Sequence, residues 1–205
     1  MAADNDRRKK PTAGTGAAAG SPLTAALREL AASATRAADE LGPAIERAAQ
    51  MVRDAVQRGG TLFFCGNGGS AADAQHMATE YVVRYMRDRR ACAAIALTTD
   101  TSLLTAASND MGFETVFARQ VEALARPGDL LIIHSTSGES PNVLRAAQAA
   151  RERGIAVLAF SAGDGGALRT LADHAVIVPV NRTDRAQELH LCIEHAICEM
   201  VERDL

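Results

Sequence analysis

The chain has 205 residues, 47% of them hydrophobic and 23% charged, with a formal net charge of −3 at pH 7. That length and composition fit one α/β domain with a short appendage, and they argue against two full domains or a largely disordered chain. Mild acidity, 3% aromatic residues and no Trp supply neither the basic field nor the stacking platform of a nucleic-acid binder, and no apolar run reaches the 18 residues that a membrane span needs.

Residues 1–20 are Ala, Gly, Thr and charge without periodicity, which predicts a flexible tail ahead of a single domain over 21–205. The two lysines of the chain, Lys9 and Lys10, fall inside that tail. The body therefore has neither a Schiff-base lysine nor a P-loop lysine. The polar N-terminus has no apolar signal-peptide segment, and Cys65, Cys92, Cys192 and Cys198 form no CxxC pair. Reduced thiols in a cytoplasmic protein are expected, with Cys65 a small buried hydrophobe.

Ser21-Pro22 reads as an N-cap followed by a first-turn proline. Gly42-Pro43 predicts the end of that first helix, and a second helix follows from about Pro43 to Arg58, closed by Gly59-Gly60. Short apolar runs then mark buried strands at Thr61–Cys65, Ala93–Leu97, Leu130–Ile133, Ala156–Phe160 and Ala175–Val178. Helical stretches lie between and after them, near 70–88, 101–125, 140–153, 164–171 and 184–203. Strand–helix alternation with continuously apolar strands predicts a parallel sheet covered on both faces. In such sheets ligands sit outside the carboxyl ends of the strands.

The loops at those ends are informative. After the first strand, Gly66-Asn67-Gly68-Gly69-Ser70 opens a helix whose free N–H groups suit a phosphate or a sugar hydroxyl, although a Gly-rich turn also serves purely structural ends. After the third strand, Ser135-Thr136-Ser137-Gly138-Glu139-Ser140-Pro141 places four hydroxyl residues where one N-cap would suffice, which favours phosphate binding over simple capping. Thr98–Thr101 caps the following helix, and Ser108-Asn109-Asp110 ends it. His76 and Glu80, at i and i+4, share one helical face, where they can chelate a metal or simply form a surface pair. In the last helix Gln187 and His195 are two turns apart, among Asp184, Glu188, His190 and Glu194, which read as a solvated face. His134 and His174 have no partner in sequence and read as structural.

Together, CGNGGSAADAQHMATE (65–80), ASNDMGFETVFARQVEAL (107–124), STSGESPNVLRAA (135–147) and RAQELHLCIEHA (185–196) resemble the sugar isomerase (SIS) family and, within it, the phosphoheptose isomerases. The resemblance covers residues 45–203. It implies a three-layer α/β sandwich of the SIS type, with a five-stranded parallel sheet flanked by helices, and a homotetramer with active sites at subunit interfaces. It implies interconversion of D-sedoheptulose 7-phosphate and D-glycero-D-manno-heptose 7-phosphate through an enediol, with no role for nucleic acid or membrane. By the same resemblance, Asn67, Gly68, Gly69, Ser70, Asn109, Asp110, Ser135, Thr136, Ser137, Ser140 and Gln187 bind substrate. Glu80, also at the substrate, is the catalytic base and His195 its acid/base partner, while His76, Glu80, Gln187 and His195 match zinc ligands. Asp184 matches an acidic residue near that site. An isomerase of another phosphosugar, or a non-catalytic SIS module that senses sugar phosphates or binds a replication initiator, is the alternative; retention of Glu80 and His195 counts against the module. His134 and Glu139 depart from the family pattern, and the Glu139 side chain is expected to point to solvent.

Overall fold

The Ser21 hydroxyl accepts a hydrogen bond from the Leu23 N–H at 3.2 Å and Pro22 fills the first turn, so the helix starts where its capping residues place it. The computed structural model describes residues 21–205; the expected flexible tail, residues 1–20, lies outside the described residues. Helix α1 (Pro22–Gln57) runs for 36 residues with Pro43 inside it. The two helices expected on either side of Gly42-Pro43 are therefore one. Pro43 has no N–H for the Asp39 carbonyl, but both residues are exposed, and water can satisfy that acceptor. The opposite side buries Ala37, Ala48, Met51, Val52 and Ala55, and packing there outweighs one missing hydrogen bond.

The five strands are β1 (Leu62–Gly66), β2 (Ala94–Ala96), β3 (Leu130–His134), β4 (Ala156–Ala162) and β5 (His174–Val178). They form one sheet in the order β2-β1-β3-β4-β5, and every neighbouring pair is parallel. Alternate residues serve opposite faces. Phe64, Ile132 and Leu158 join a core with α1, α2 (Gly69–Val82) and α7 (Thr183–Glu202), whereas Phe63, Leu131 and Val157 join a second core under α3 (Thr101–Met111), α4 (Ala118–Leu124), α5 (Pro141–Glu152) and α6 (Leu168–Leu171). The expected three-layer α/β sandwich is the observed one.

The helical stretch anticipated over 101–125 is divided. Gly112, at φ +92°, ends α3, and a 3-10 turn at Phe113–Thr115 leads into α4. Asp100 caps α3 by accepting from the Leu103 N–H at 2.9 Å, as its position suggested. Helix α2 stops at Val82 instead of continuing to 88, and α6 is a single turn. His174 donates from Nε2 to the Ala44 carbonyl at 2.7 Å, which ties β5 to α1 just past Pro43.

Candidate active site

β1 and β3 are adjacent, so their carboxyl-end loops meet. Gly68 takes φ +58° at the N-cap of α2, a conformation that a side chain disfavours. No side chain caps that helix, which leaves its first N–H groups directed at the space in front. A Cβ on Gly69 would lie 2.5 Å from Gln187 Oε1, so glycine there leaves room for the end of the Gln187 side chain. The amides of Asn67 and Asn142 exchange two hydrogen bonds, at 2.9 and 2.8 Å. Asn142 is a participant that spacing alone could not reveal, 75 residues from Asn67.

In the loop after β3, the hydroxyls of Ser135 and Ser137 accept from the N–H groups of Gly138 and Glu139, both at 3.2 Å. Ser140 occupies the N-cap of α5, yet its side chain makes no capping bond, so its hydroxyl stays available. A cavity of about 290 Å³ joins Asn67–Ser70, Ser135–Ser137 and Ser140 to Thr183 and Gln187 of α7, with no Lys or Arg in its lining. Hydroxyls, helix N–H groups and the amides of Asn67 and Gln187 are thus the donors it offers to an anion, with the fully buried His134 ring behind them. A larger groove, about 440 Å³, lies between α4 and α5 and holds none of the candidate residues. The Glu139 carboxylate is exposed but engaged: it accepts from the Ala167 N–H at 2.7 Å, which turns it away from the neighbouring hydroxyls.

Farther along α2, His76 Nε2 lies 3.3 Å from Glu80 Oε1 and 2.9 Å from His195 Nε2 on α7. The surface pair and the chelating pair of the sequence are therefore both represented, because His195 joins from 119 residues away. The Tyr85 ring, not anticipated from the sequence, stacks on His195 with centroids 5.2 Å apart and planes 16° from parallel. His76 begins about 10 Å along the axis of α2 from Gly69, seven residues at 1.5 Å each, so the His/Glu cluster stands one to two turns beyond the hydroxyl-lined cavity and is not part of its lining.

The three ligating atoms all lie within 4.8 Å of one another. Tetrahedral zinc ligands at about 2.0–2.1 Å stand about 3.3 Å apart; the His76–Glu80 separation of 3.3 Å and the two-imidazole, one-carboxylate donor set suit that ion, while the His76–His195 separation of 2.9 Å would have to open by a few tenths of an ångström. Gln187 lies against Gly69 at the cavity end.

Other expected residues sit elsewhere. Asn109 and Asp110 are exposed at the end of α3, where the Asn109 amide donates to Asp110 Oδ1 at 2.7 Å; neither lines the cavity. Asp184 pairs with Arg182 at 2.5 Å, and that hydrogen bond, with Arg185 beside it, holds its carboxyl down to about 2. The expected solvated face of α7 is not solvated at His190 and Glu194, which are 0% and 3% exposed. Their helix packs this side onto the sheet. His134 Nε2 meets Glu194 Oε1 at 2.8 Å. Burial pulls His134 down, but the Glu194 carboxylate, with Asp73 and the Cys65 backbone adding to it, more than reverses that, and its pKa is raised. His190 donates from Nε2 to the Ser161 carbonyl at 2.9 Å, and burial lowers it to about 4. Burial likewise drives the Cys65 thiol far up, consistent with an inert core residue.

These features define an α/β protein with a hydroxyl-lined cavity at the carboxyl ends of its strands and a cluster of two imidazoles and a carboxylate farther along α2. The sequence profile of the SIS domain family matches residues 27–162. A phosphoheptose isomerase of Roseiflexus sp. (strain RS-1) is 52% identical over 170 residues, spanning 83% of this chain and 86% of that one. Among solved structures, phosphoheptose isomerase GmhA from Neisseria gonorrhoeae superposes with a TM-score of 0.83 at 42% identity, covering 88% of this chain and 97% of that chain. A phosphoheptose isomerase from Francisella tularensis superposes with a TM-score of 0.85 at 33% identity, covering 88% and 96%. The chain belongs to the SIS domain family, in its phosphoheptose isomerase branch.

Proposed function

We propose that this chain is an isomerase that interconverts D-sedoheptulose 7-phosphate and D-glycero-D-manno-heptose 7-phosphate. The observation that carries the reading is 52% identity to a phosphoheptose isomerase over 83% of the chain; a hydroxyl-lined cavity near one end of α2 and the His76, Glu80 and His195 cluster farther along it support it. A seven-carbon substrate carries its phosphate on C7 and reacts at C1 and C2. Its charge and its chemistry are therefore separated in the same sense as the site.

The phosphate is held by the helix N–H groups beyond Gly68 and by hydroxyls of Ser70, Ser135, Thr136, Ser137 and Ser140; Asn67, Gly68, Gly69 and Gln187 contact the sugar, while Asn109 and Asp110, exposed at the end of α3, lie outside the cavity lining. Binding energy gained there orients the reacting carbons. Glu80 removes a proton from C1 and the electron pair forms the C1–C2 double bond of an enediol. His195 moves the proton between O1 and O2, and reprotonation at C2 leaves the aldehyde at C1. His76, Glu80 and His195 would hold zinc, which when bound supplies Lewis-acid polarisation of the carbonyl oxygen; Gln187, the fourth expected ligand, has its side chain at the cavity end against Gly69 instead. The protein acts in the cytoplasm as a homotetramer with sites at subunit interfaces. In support, α1 presents Leu23 and Leu27 at 81% and 67% exposure, an apolar surface that a second copy would cover, and no helix among the described residues is long and apolar enough to cross a membrane.

The test is incubation with D-sedoheptulose 7-phosphate, with and without a chelator, and product identification by NMR. The aldoheptose should form, and chelation should abolish turnover until zinc is restored. Turnover of a different ketose phosphate but not this one overturns the substrate; full activity of metal-free protein overturns the zinc. Binding of a sugar phosphate without turnover would favour a sensor module.

A further inference from the structure

Between α2 and β2 the chain runs through residues 83–93 with no helix or strand, yet this stretch is tightly held. The N–H groups of Tyr85, Met86 and Arg87 donate to the Glu202 carboxylate at 3.0, 2.8 and 2.9 Å. Glu202 also meets the Arg89 guanidinium at 3.3 Å, with the two side chains 1% and 3% exposed. The same guanidinium donates to the carbonyls of Glu80 at 2.6 Å and Tyr81 at 2.8 Å. One buried ion pair thus joins the end of α7, the loop and the last turns of α2.

Two consequences for the site are geometric. Arg89 anchors the backbone of Glu80 itself. Through the loop, Glu202 delivers the Tyr85 ring onto His195, seven residues earlier on the same helix. An imidazole turns about its χ2 bond in broad, nearly two-fold wells, and each turn exchanges its two ring nitrogens. A ring stacked at 5.2 Å and 16° restricts that turn and keeps Nε2 directed at His76, 2.9 Å away.

We propose that Tyr85 is a positioning residue that sets the ring plane of His195, and that the Glu202–Arg89 ion pair is the clamp that holds Tyr85 and Glu80 in register. The catalytic part of this inference rests on the isomerase reading; the structural part does not. The apolar body of the ring acts, so the phenol hydroxyl is dispensable. Tyr85 is half-exposed, which makes its replacement tolerable for folding.

The experiment compares Tyr85→Leu, Tyr85→Phe and wild type by steady-state kinetics on D-sedoheptulose 7-phosphate and by NMR of ¹³C-labelled histidine rings, with His195→Gln assigning the His195 signals. In Tyr85→Leu, kcat falls about 10- to 100-fold while KM stays within about twofold, and the His195 ring protons lose their ring-current displacement. Tyr85→Phe restores both. Glu202→Gln, in protein shown to be folded by its circular dichroism, moves the same His195 signals. Unchanged kcat in Tyr85→Leu, equal damage in the Phe and Leu variants, or His195 signals indifferent to residue 85 each overturn the proposal. The NMR signals need no substrate, so they report on the clamp even if the substrate assignment fails.

Discussion

Glu194 and His195 are neighbours on α7, yet their side chains enter two different histidine–carboxylate pairs. His195 joins His76 and Glu80 at the surface, where the His76 and Glu80 side chains are 43% and 19% exposed and the shortest His–carboxylate distance is 3.3 Å. Glu194 turns inward to His134 at 2.8 Å, with side chains 4% and 0% exposed and the imidazole stacked between Phe64 and Phe160. The chemical groups are the same and their accessibility is opposite. In the inner pair the surroundings fix charge, and Glu194 Oε2 and His134 Nδ1 are left without partners; such a pair is retained for structure and is costly to break. The outer pair is open to ligand and has donor atoms to spare. Access to ligand here is a matter of which side of the helix a residue faces.

That contrast can be broken from either side. The largest effect is expected at the outer cluster: Glu80→Gln should lower kcat about 10²- to 10⁴-fold in steady-state assays, with the urea midpoint of unfolding nearly unchanged. At the inner pair the pattern should invert. His134→Leu leaves the Glu194 carboxylate buried alone and should cost about 3–5 kcal/mol in urea unfolding. Combining it with Glu194→Met should recover most of that loss, and a double variant no better than the single one would show that the pair does not act as a unit.

A somewhat smaller effect concerns pH. His190 faces the Ser161 carbonyl and the neighbouring His134, and its folded-state value of about 4 lies below the unfolded value near 6.5. The unfolded chain therefore binds the extra proton between those values. The stability that neutral His190 contributes is complete above pH 6.5 and falls away as pH drops toward 4, on the order of 3 kcal/mol. His134, raised by Glu194 and facing Asp73 as well, works in the other direction. Its contribution is complete below 6.5 and fades as pH rises through its folded-state value. Urea midpoints measured from pH 4 to 8 should show His190→Gln flattening the acid limb, while His134→Leu acts on the opposite one. The smallest effect is expected at the exposed pair Arg119–Glu122, 3.1 Å apart on α4, where Arg119→Ala should change stability by no more than about 0.5 kcal/mol.

Much of this architecture is legible from local pattern. The strands follow from apolar runs and the caps of α1 and α3 from Ser21 and Asp100, because those signals are complete within a few residues. Pro43 misleads because the cost of a missing N–H depends on whether the freed carbonyl reaches water, which is a property of the packed helix. His190 and Glu194 look like surface residues because polar identity carries no information on which face a sheet will cover. In the site, the His76–Glu80 spacing was readable and the meeting with His195 was not, since that contact spans 119 positions. The resemblance to a known family bridged that gap. Asn142 and Tyr85 had no such bridge: their roles arise from contacts made by folding alone.

Placing half of the acid–base cluster on α7 also has a consequence for how the molecule is made. During synthesis at about 5–20 residues per second, the 119 positions that separate His76 from His195 correspond to a delay of about 6–24 s. For that whole interval Phe64 has no α7 to cover it, and Ile132, Leu158 and Phe160 join it as they are made, since Leu189, Ile193 and Ile197 emerge later still. The nascent chain displays this apolar sheet face without α7 for a matter of seconds after Phe160 is made, and His76 gains His195 in the same event that hides that surface. Activity and escape from aggregation are thus acquired together, with the docking of one helix.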